Sequence, residues 1–338
     1  MIVKENISLK SYNTFGIDVK ARYFIEITSV DQLRQSLQLK DYPPIFVISG
    51  GSNMLLTGDL ERLVLFLNIK GKRILWEDDS RVALKIMAGE NWHDLVMWCI
   101  AQNFGGIENL SLIPGNTGTA PIQNIGAYGV EIKDVFESCE AMEIKSQRLL
   151  RFNGQGCRFG YRDSYFKKEG KGQFIITSVT LILRKKDHVL NTSYGAIKAQ
   201  LKQKSVTKPT IKQVSEAVIA IRQQKLPDPN ILGNSGSFFK NPVLKQQQFN
   251  KFSTNHPEAP FYKLEDGTVK VPAGWLIEQT GYKGKRIGDA GVHKDQALVL
   301  VNFGKASGAE IQQLAQSIQN DVHLKFGIEL IPEVNIIK

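Results

Sequence analysis

The sequence predicts a mixed α and β protein with two or three domains. Its 338 residues are more than a single hydrophobic core usually organises. Short β-branched runs indicate strands, and apolar residues at helical spacing indicate helices. The stretch from Ile113 to Glu131 interrupts both patterns. Its four glycines and two prolines in nineteen positions exclude a helix interior or a central strand.

The N-terminal segment predicts a β–α–β arrangement. Arg22 to Ile27 alternates like a strand, Val30 to Leu39 is a short amphipathic helix, and Ile45 to Ser49 is an apolar β-branched run. Gly50-Gly51-Ser52-Asn53 follows that run directly. Small residues at the carboxyl end of a strand leave N–H groups free, which favours binding of a nucleotide phosphate there.

The central part predicts a helix and several strands. Asn91 is a candidate N-cap for a helix from Trp92 to Gln102, whose apolar face excludes His93. We therefore interpret His93 as a surface residue. Further strands are predicted at Leu63–Leu67, Val82–Met87, Val135–Ile144 and Phe174–Leu183.

The C-terminal part begins after a polar stretch, Ser205 to Lys208, which is the best candidate for a domain boundary. A capping box at Thr210 predicts a helix that stops before Pro227. A second capping box, at Ser307, predicts a helix that ends near Gly327. The last strand, Ile328 to Ile337, contains Pro332, which predicts an edge or bulged strand.

The Ile113–Glu131 stretch is neither charged nor repetitive, so it predicts an ordered loop. Two interpretations of this loop are open: it is a buried connector, or its backbone N–H groups bind an anion. The Gly50–Asn53 loop favours two separated loops that bind one pyrophosphate. The dinucleotide fingerprint Gly-x-Gly-x-x-Gly is absent, because Gly154-x-Gly156 is followed by Phe159 at its third position.

Composition restricts the classes of function. The net charge of +10 fits either a nucleic-acid-binding protein or one whose ligands carry phosphates. The basic clusters lack interleaved aromatic residues, which favours phosphate-bearing small molecules. Three widely spaced cysteines predict buried thiols in a reducing cytoplasm and no zinc site. The longest apolar run, Phe174 to Leu183, is too short to cross a membrane.

Three side chains could carry chemistry, although each has an ordinary structural explanation. Arg162 could bind a carboxylate or form an ion pair with Asp163. Ser237 could be a nucleophile, although no nearby histidine marks it as activated, or an ordinary loop serine, and Glu333 could be a catalytic group or a solvated edge residue. Spacing alone assigns none of them a catalytic role.

Both glycine loops resemble the flavin-binding loops of the UDP-N-acetylenolpyruvoylglucosamine reductases, which belong to the vanillyl-alcohol-oxidase-like flavoproteins. The resemblance continues in order along nearly the whole chain. The other matching motifs are Asn13–Gly16, Ala88–Trp92, Phe159–Ser164, Lys225–Pro229, Gly233–Pro242, Ala273–Ile277, Gln296–Leu300 and Pro332–Val334.

This resemblance implies an α+β fold with three parts. Residues 1–70 and 71–207 would form the two FAD-binding subdomains, of the vanillyl-alcohol-oxidase and p-cresol-methylhydroxylase type. Residues 208–338 would form an α+β substrate-binding domain that ends in a catalytic strand.

The resemblance also implies a cytoplasmic, monomeric enzyme that binds neither nucleic acid nor membrane and requires no metal. NADPH would reduce noncovalently bound FAD, and the enolpyruvyl ether of UDP-N-acetylglucosamine would be reduced to UDP-N-acetylmuramate for peptidoglycan synthesis. Arg162 and a protonated Glu333 would stabilise an enediolate-like species, and Ser237 would supply the proton.

The remaining site residues follow from the same matching. The implied FAD contacts are Gly50, Gly51, Ser52, Asn53, Ile113, Pro114, Gly118, Thr119, Ile122, Asn124, Gly126, Tyr128, Gly129 and Arg222. The implied substrate contacts are Tyr161, Tyr194, Lys225, Asn241 and Gln296. Tyr194 indicates the branch of the family with a tyrosine-bearing loop over the substrate. Thr119-Ala120 and Ile331 depart from the family pattern.

Two alternatives differ in measurable ways. A flavin-dependent sugar or lactone oxidase of the same superfamily would consume oxygen with an alcohol substrate. A basic nucleotide- or nucleic-acid-binding protein without catalysis would be colourless and would bind nucleic acid in a salt-sensitive manner.

Overall fold

The computed structural model describes residues 2–338, which form two compact units. The first unit comprises residues 2–7, 21–50 and 61–224, and the second comprises residues 8–20, 51–60 and 225–338. The division into three domains near residues 70 and 207 remains a prediction.

Strands and helices are numbered in chain order. The strands are β1 (Lys4–Ser8), β2 (Lys20–Ile27), β3 (Ile45–Ile48), β4 (Met54–Leu56), β5 (Leu60–Leu67), β6 (Lys72–Glu77), β7 (Arg81–Met87), β8 (Gly126–Ala127), β9 (Val130–Glu131), β10 (Phe136–Glu143), β11 (Leu149–Asn153), β12 (Phe174–Arg184), β13 (Gly233–Ser237), β14 (Val243–Leu244), β15 (Tyr262–Lys263), β16 (Val269–Lys270), β17 (Arg286–Ile287), β18 (Ala290–Val292), β19 (Val299–Asn302) and β20 (Asn335–Ile337). The α-helices are α1 (Val30–Ser36), α2 (Trp92–Ala101), α3 (Gly154–Cys157), α4 (Gly195–Gln203), α5 (Ile211–Lys225), α6 (Gln246–Asn255), α7 (Ala273–Gln279) and α8 (Gly308–Phe326).

Two sheets organise the first unit. The smaller has the order β1-β2-β5-β3, and its β3 and β5 run parallel. The larger has the order β11-β10-β12-β7-β6 and is antiparallel throughout. Helix α2 contributes Trp92, Leu95 and Val96 to the core over the larger sheet, where all three are buried. Asn91 caps α2 by accepting a hydrogen bond from the backbone N–H of Asp94.

The second unit contains the antiparallel sheet β13-β19-β18-β17, a three-stranded sheet β14-β16-β15 and the parallel pair β20-β4. Its longest helix, α8, begins with a reciprocal capping box between Ser307 and Glu310. The helix ends at Gly327, whose φ of 64° is the left-handed conformation that suits glycine. Ile311, Ile318 and Val322 are buried along one face of α8.

Most predicted elements are confirmed, whereas the last strand is wrong in extent. Only Asn335–Ile337 pairs as a strand, in parallel with β4. Pro332 forms no more than an isolated bridge with Phe239, because proline has no N–H to continue a ladder. Strand β6 was missed because all six of its residues are exposed and its apolar residues are consecutive rather than alternating. Among residues 2–338, no helix has both the length and the apolar composition needed to cross a lipid bilayer.

Candidate functional site

The glycine-rich stretch from Ile113 to Glu131 is an ordered loop in the first unit, as predicted. Its residues 115–118 lie along the Ala88–Trp92 segment through hydrogen bonds from Trp92 N to Gly115 O (3.0 Å), Thr117 N to Glu90 O (2.8 Å) and Gly118 N to Ala88 O (2.9 Å). The strands β8 and β9 then form a tight hairpin. Its two turn residues, Tyr128 and Gly129, have φ values of 50° and 81°, as a two-residue hairpin turn requires.

The two glycine loops meet at Gly50 and Gly115. A Cβ atom on Gly50 would lie 2.6 Å from the Cα atom of Gly115 and 3.0 Å from the N atom of Asn116. No side chain fits in that space, so the backbones of two distant segments come into direct contact. The two loops, which are far apart in the sequence, therefore lie side by side at these glycines in the first unit, as binding of one pyrophosphate by both loops requires.

Asn124 fixes the part of the loop that precedes the hairpin. It is fully buried and left-handed, with a φ of 42°. Its Nδ2 donates to Glu131 Oε2 (2.8 Å) and Gly160 O (2.9 Å), and its Oδ1 accepts from Lys133 N (3.3 Å). These bonds join the glycine-rich loop to the loop that carries Arg162. Ser164 adds a second link, because its hydroxyl donates to Ile122 O (2.6 Å).

Arg162 lies against the hairpin. Gly160 and Asp163 exchange backbone hydrogen bonds of 3.0 and 3.2 Å, and Arg162 occupies the turn between them with a φ of 54°. Its guanidinium donates to Gly126 O, while the carboxylate of Asp163 pairs with Lys168. The Arg162–Asp163 ion pair, the structural alternative, is therefore not formed.

A second arginine of the first unit, Arg222 on α5, lies close enough for Arg162 to lower its pKa. Burial is the main cause of the lowered pKa of Arg222, and a hydrogen bond with Tyr128 opposes it. The Nε of Arg222 is buried and finds no hydrogen-bond partner among residues 2–338. Burial raises the pKa of Tyr128. Two neighbouring guanidinium groups beside a glycine loop favour binding of an anion.

His93 corrects one prediction. The residue is half-buried, and its Nδ1 accepts a hydrogen bond from the backbone N–H of Leu112 (3.0 Å). Helical periodicity placed His93 correctly away from the core face of α2, but the start of the glycine-rich loop covers that other face. Burial lowers the pKa of His93, Asp94 opposes this effect and Arg222 adds to it.

Ser237 and Glu333 lie on adjoining segments of the second unit. Ser237 ends β13, where it pairs with Val299 of β19, and is half-buried. Phe238 directly follows Ser237, and its carbonyl accepts a hydrogen bond from the backbone N–H of Glu333 (2.8 Å). Nearby, Lys240 N donates to Ile331 O (2.9 Å). Two of the three predicted catalytic residues, Ser237 and Glu333, therefore lie on backbone segments that are hydrogen-bonded to each other.

The residues that follow Gly50 join the same part of the second unit. Thr14 N donates to Gly51 O (3.1 Å), and Thr14 O accepts from Asn234 N of β13 (2.9 Å). Asn53 O accepts from both the backbone N–H (3.2 Å) and the side-chain amide (2.9 Å) of Asn335. The loop after Gly50, the Ser237 strand and the Glu333 segment therefore form one hydrogen-bonded assembly.

The predicted substrate contacts are placed in two groups. In the second unit, Asn241 and Gln296 both lie at the first turn of α7. Asn241 Oδ1 accepts from Ala273 N (2.9 Å), and a Cβ on Gly274 would lie 3.3 Å from Gln296 Oε1. In the first unit, Tyr161 and Tyr194 are 69% and 50% exposed, so their rings remain available to a ligand. Lys225, the last residue of α5, is exposed.

The first unit fits the diphosphate of a flavin dinucleotide. The Gly50–Gly115 approach leaves peptide backbone without covering side chains, and the buried Nε of Arg222 is a donor that a phosphate oxygen would satisfy. Thr119 is one of the two positions of the loop that depart from the family pattern. Its hydroxyl donates to Asn116 O (2.8 Å) and so serves the loop itself.

Sequence reasoning missed Asn109 and Asn191. Asn109 is fully buried, and its Nδ2 donates to both Tyr128 O (3.1 Å) and Asn191 O (2.8 Å). Asn191 Nδ2 donates to Gly129 O (2.9 Å). Single asparagines in polar segments carry no periodic signal, so only the folded structure reveals these contacts.

Two family models match the chain. The model described as "FAD binding domain" matches residues 21–148, and the model described as "UDP-N-acetylenolpyruvoylglucosamine reductase, C-terminal domain" matches residues 228–337. The predicted α+β fold, an FAD-binding domain followed by a C-terminal α+β domain, is confirmed.

Whole-chain comparisons agree with the family models. The chain is 56% identical over 337 residues to the UDP-N-acetylenolpyruvoylglucosamine reductase of Flavobacterium johnsoniae, with 100% of both proteins covered. It is 48% identical over 335 residues to that of Pseudomonas putida, with 98% of both covered. The crystal structure of the reductase from Thermus caldophilus is similar in fold, with a TM-score of 0.70 at 22% identity and 100% of both chains covered.

Proposed function

Because this chain belongs to the UDP-N-acetylenolpyruvoylglucosamine reductase family, we propose that it reduces the enolpyruvyl ether of UDP-N-acetylglucosamine to UDP-N-acetylmuramate. The reaction supplies a peptidoglycan precursor and uses FAD, with NADPH as the source of hydride. Identity over the full length to curated relatives supports this assignment of substrate. The cationic, glycine-lined loop of the first unit is the structural observation that supports it best.

The chain's own residues hold the cofactor in this proposal. Gly50, Gly115 and Gly118 would let backbone N–H groups hold the diphosphate, and Arg222 would donate to it through the Nε that has no hydrogen-bond partner among residues 2–338. Asn124 and Tyr128 shape the loop through their left-handed conformations. When bound, FAD would supply the hydride chemistry, with NADPH as the donor and the methylene carbon of the substrate as the acceptor.

Arg162 and Glu333 stabilise the negative charge that hydride addition leaves on the substrate. That charge spreads from the carbon bearing the carboxylate into an enediolate-like species, whose oxygens need preorganised donors. Arg162 offers two N–H groups in a fixed fork, and Glu333 offers an O–H when it holds a proton. Anchoring of the Glu333 backbone to Phe238 O supports a fixed position for this side chain.

Ser237 donates the proton that completes the reaction at the ether-bearing carbon. A serine hydroxyl is a weak acid, but a carbanion is a strong base, and accurate placement offsets the weak acidity. Support comes from the pairing of Ser237 with Val299 and the bond between Phe238 and Glu333, which fix the backbone on both sides of the hydroxyl.

A Ser237→Ala variant tests the proposal. NADPH should still bleach its flavin at the normal rate, whereas anaerobic reoxidation by the enolpyruvyl substrate should slow by roughly 10²-fold or more, the usual scale of acid–base loss. Stopped-flow absorbance of the flavin measures both half-reactions. Ser253→Ala, which removes a hydroxyl from α6 of the same unit, should change neither rate. Normal reoxidation in the Ser237 variant would remove this serine from the mechanism.

A further inference from the structure

A four-residue segment, Asn191 to Tyr194, is tied directly to the hairpin turn of the glycine-rich loop. We call it the strap. Asn191 Nδ2 donates to Gly129 O (2.9 Å), and a Cβ on Gly129 would lie 2.7 Å from that nitrogen. The absence of a side chain at Gly129 is therefore what allows the strap to approach the turn.

Asn109, which is buried, adds two hydrogen bonds to this connection between the strap and the turn. Its single amide nitrogen donates to Tyr128 O in the turn (3.1 Å) and to Asn191 O in the strap (2.8 Å). Because Asn109 is fully buried and both of its N–H groups are used, it holds the two backbones at a fixed separation. We call Asn109 and Asn191 together the asparagine clasp.

Aromatic contact extends the connection to the end of the strap. The rings of Tyr128 and Tyr194 meet edge to face, with centroids 5.2 Å apart and an interplanar angle of 86°. Tyr128 also forms a hydrogen bond with Arg222, the proposed phosphate contact. We call the glycine-rich loop from Ile113 to Glu131 the cofactor loop. The position of the Tyr194 ring thus depends on the turn at Tyr128 and Gly129 of that loop.

The far end of the strap is anchored as well. Tyr194 is the N-cap residue of α4, whose Ile197 and Leu201 are buried in a small core with Val218 and Ile221 of α5. Tyr128 packs against that core too. Since both ends of the strap are held, a change in the Tyr128-Gly129 turn has few ways to relax other than through the clasp.

We infer that the asparagine clasp couples cofactor binding to substrate binding, and that Asn191 is a positioning residue that sets Tyr194 through the Tyr128-Gly129 turn. The inference rests on the proposed function, in which Tyr194 contacts the substrate. Coupling between two ligands is reciprocal at equilibrium, so substrate held under the strap lowers the dissociation constant of FAD by the same factor as FAD lowers that of the substrate.

The experiment dilutes the oxidised holoenzyme to a series of concentrations and measures the dissociation constant of FAD at equilibrium, by flavin fluorescence, with and without saturating UDP-N-acetylglucosamine enolpyruvate. No NADPH is present, so no turnover occurs. The ratio of the two dissociation constants, called substrate protection below, reports the coupling. Asn191→Asp keeps the shape and the acceptor for Ser193 but loses the donor to Gly129 O. One such bond is worth about 0.5–1.5 kcal/mol, so substrate protection should weaken by about 2- to 12-fold.

Ser193→Ala is the matched control, because it removes only the bond from Ser193 to Asn191 Oδ1 inside the strap (2.9 Å). It should keep the substrate protection of the wild type. Asn191→Asp should also raise KM for the substrate while leaving the rate of flavin reduction by NADPH unchanged, a division that general destabilisation would not produce. Equal protection in the wild type and Asn191→Asp would overturn the inference. Failure of the wild type to bind the substrate at all would instead contradict the proposed function.

Discussion

The cofactor loop of the first unit and the Ser237–Glu333 assembly of the second unit are stabilised in different ways. In the cofactor loop and the adjoining Arg162 turn, three residues other than glycine have left-handed conformations: Asn124, Tyr128 and Arg162. In the segments that carry Ser237 and Glu333, only glycines do, at Gly51 and Gly236. Each left-handed residue other than glycine costs on the order of 1–3 kcal/mol, which contacts with the surrounding structure must offset.

The sources of support differ accordingly. Side chains reach across to backbone in the cofactor loop, as Asn124 does to Gly160 O and Ser164 does to Ile122 O. In the second unit, Glu333 itself is held by backbone pairing with Phe238, and the side chains of Ser235 and Asn335 add bonds to Met54 O and Asn53 O. The difference means that side-chain substitutions should damage the shape of the first region, whereas in the second they should remove chemistry and leave the shape intact.

Gly50→Ala should produce the largest effect. Its Cβ would lie 2.6 Å from backbone, so the two glycine loops must separate, at a cost in the upper part of the roughly 1–3 kcal/mol range for overpacking. Flavin retention should fall by roughly 30- to 100-fold, which ultrafiltration and the visible spectrum would measure. Gly154→Ala is the control, because a Cβ there meets nothing within 4 Å. Full flavin occupancy in Gly50→Ala would contradict the role of this close approach.

Two asparagine substitutions compare the regions directly. Asn124→Ala leaves Gly160 O and Lys133 N without their buried partner and should lower the free energy of unfolding by about 1–2 kcal/mol, with loss of flavin. Asn335→Ala removes a bond of similar length to Asn53 O, but Asn335 is exposed and its backbone N–H still serves that oxygen. This variant should stay within about 0.5 kcal/mol of the wild type. Denaturant unfolding measures the free energy of unfolding of both variants. Equal decreases in the two variants would contradict the proposed difference between the two regions.

The sequence predicts the helices and strands better than it predicts which residues adopt the left-handed conformation. Glycine and proline content excluded regular structure from the Ile113–Glu131 stretch, and the capping boxes at Thr210 and Ser307 marked helix starts that the structure confirms. Asparagine tolerates the left-handed region, but local preference does not single out Asn124 among the asparagines and disfavours it for Arg162, so tertiary hydrogen bonds decide both conformations. Pro332 predicted an edge or bulged strand, and the structure pairs this part of the chain only as an isolated bridge with Phe239. A regular ladder begins at Asn335, where the distant strand β4 becomes the partner.

His93 allows the smallest and most specific test, because it is a support of the cofactor loop that titrates. Its Nδ1 must be unprotonated to accept from Leu112 N, and burial lowers its pKa below the ordinary value of about 6.5. For a group whose pKa is lowered by folding, the contribution to stability is complete above the unfolded pKa. It is lost as the pH falls through the folded value. The wild type should therefore lose stability between about pH 6.5 and the folded pKa.

His93→Gln should lack this part of the pH dependence, because an amide oxygen can accept from Leu112 N without titrating. The difference between the two proteins isolates His93, since burial also lowers the pKa of His293 in the second unit and that group is unchanged in the variant. The full effect is about 1.4 kcal/mol for each unit of pKa shift, and partial exposure reduces it. NMR titration of the His93 ring gives the midpoint directly. A midpoint at or above 6.5 would show that the Leu112 bond does not hold the imidazole neutral, and His93 would then add no pH dependence to the stability of this loop.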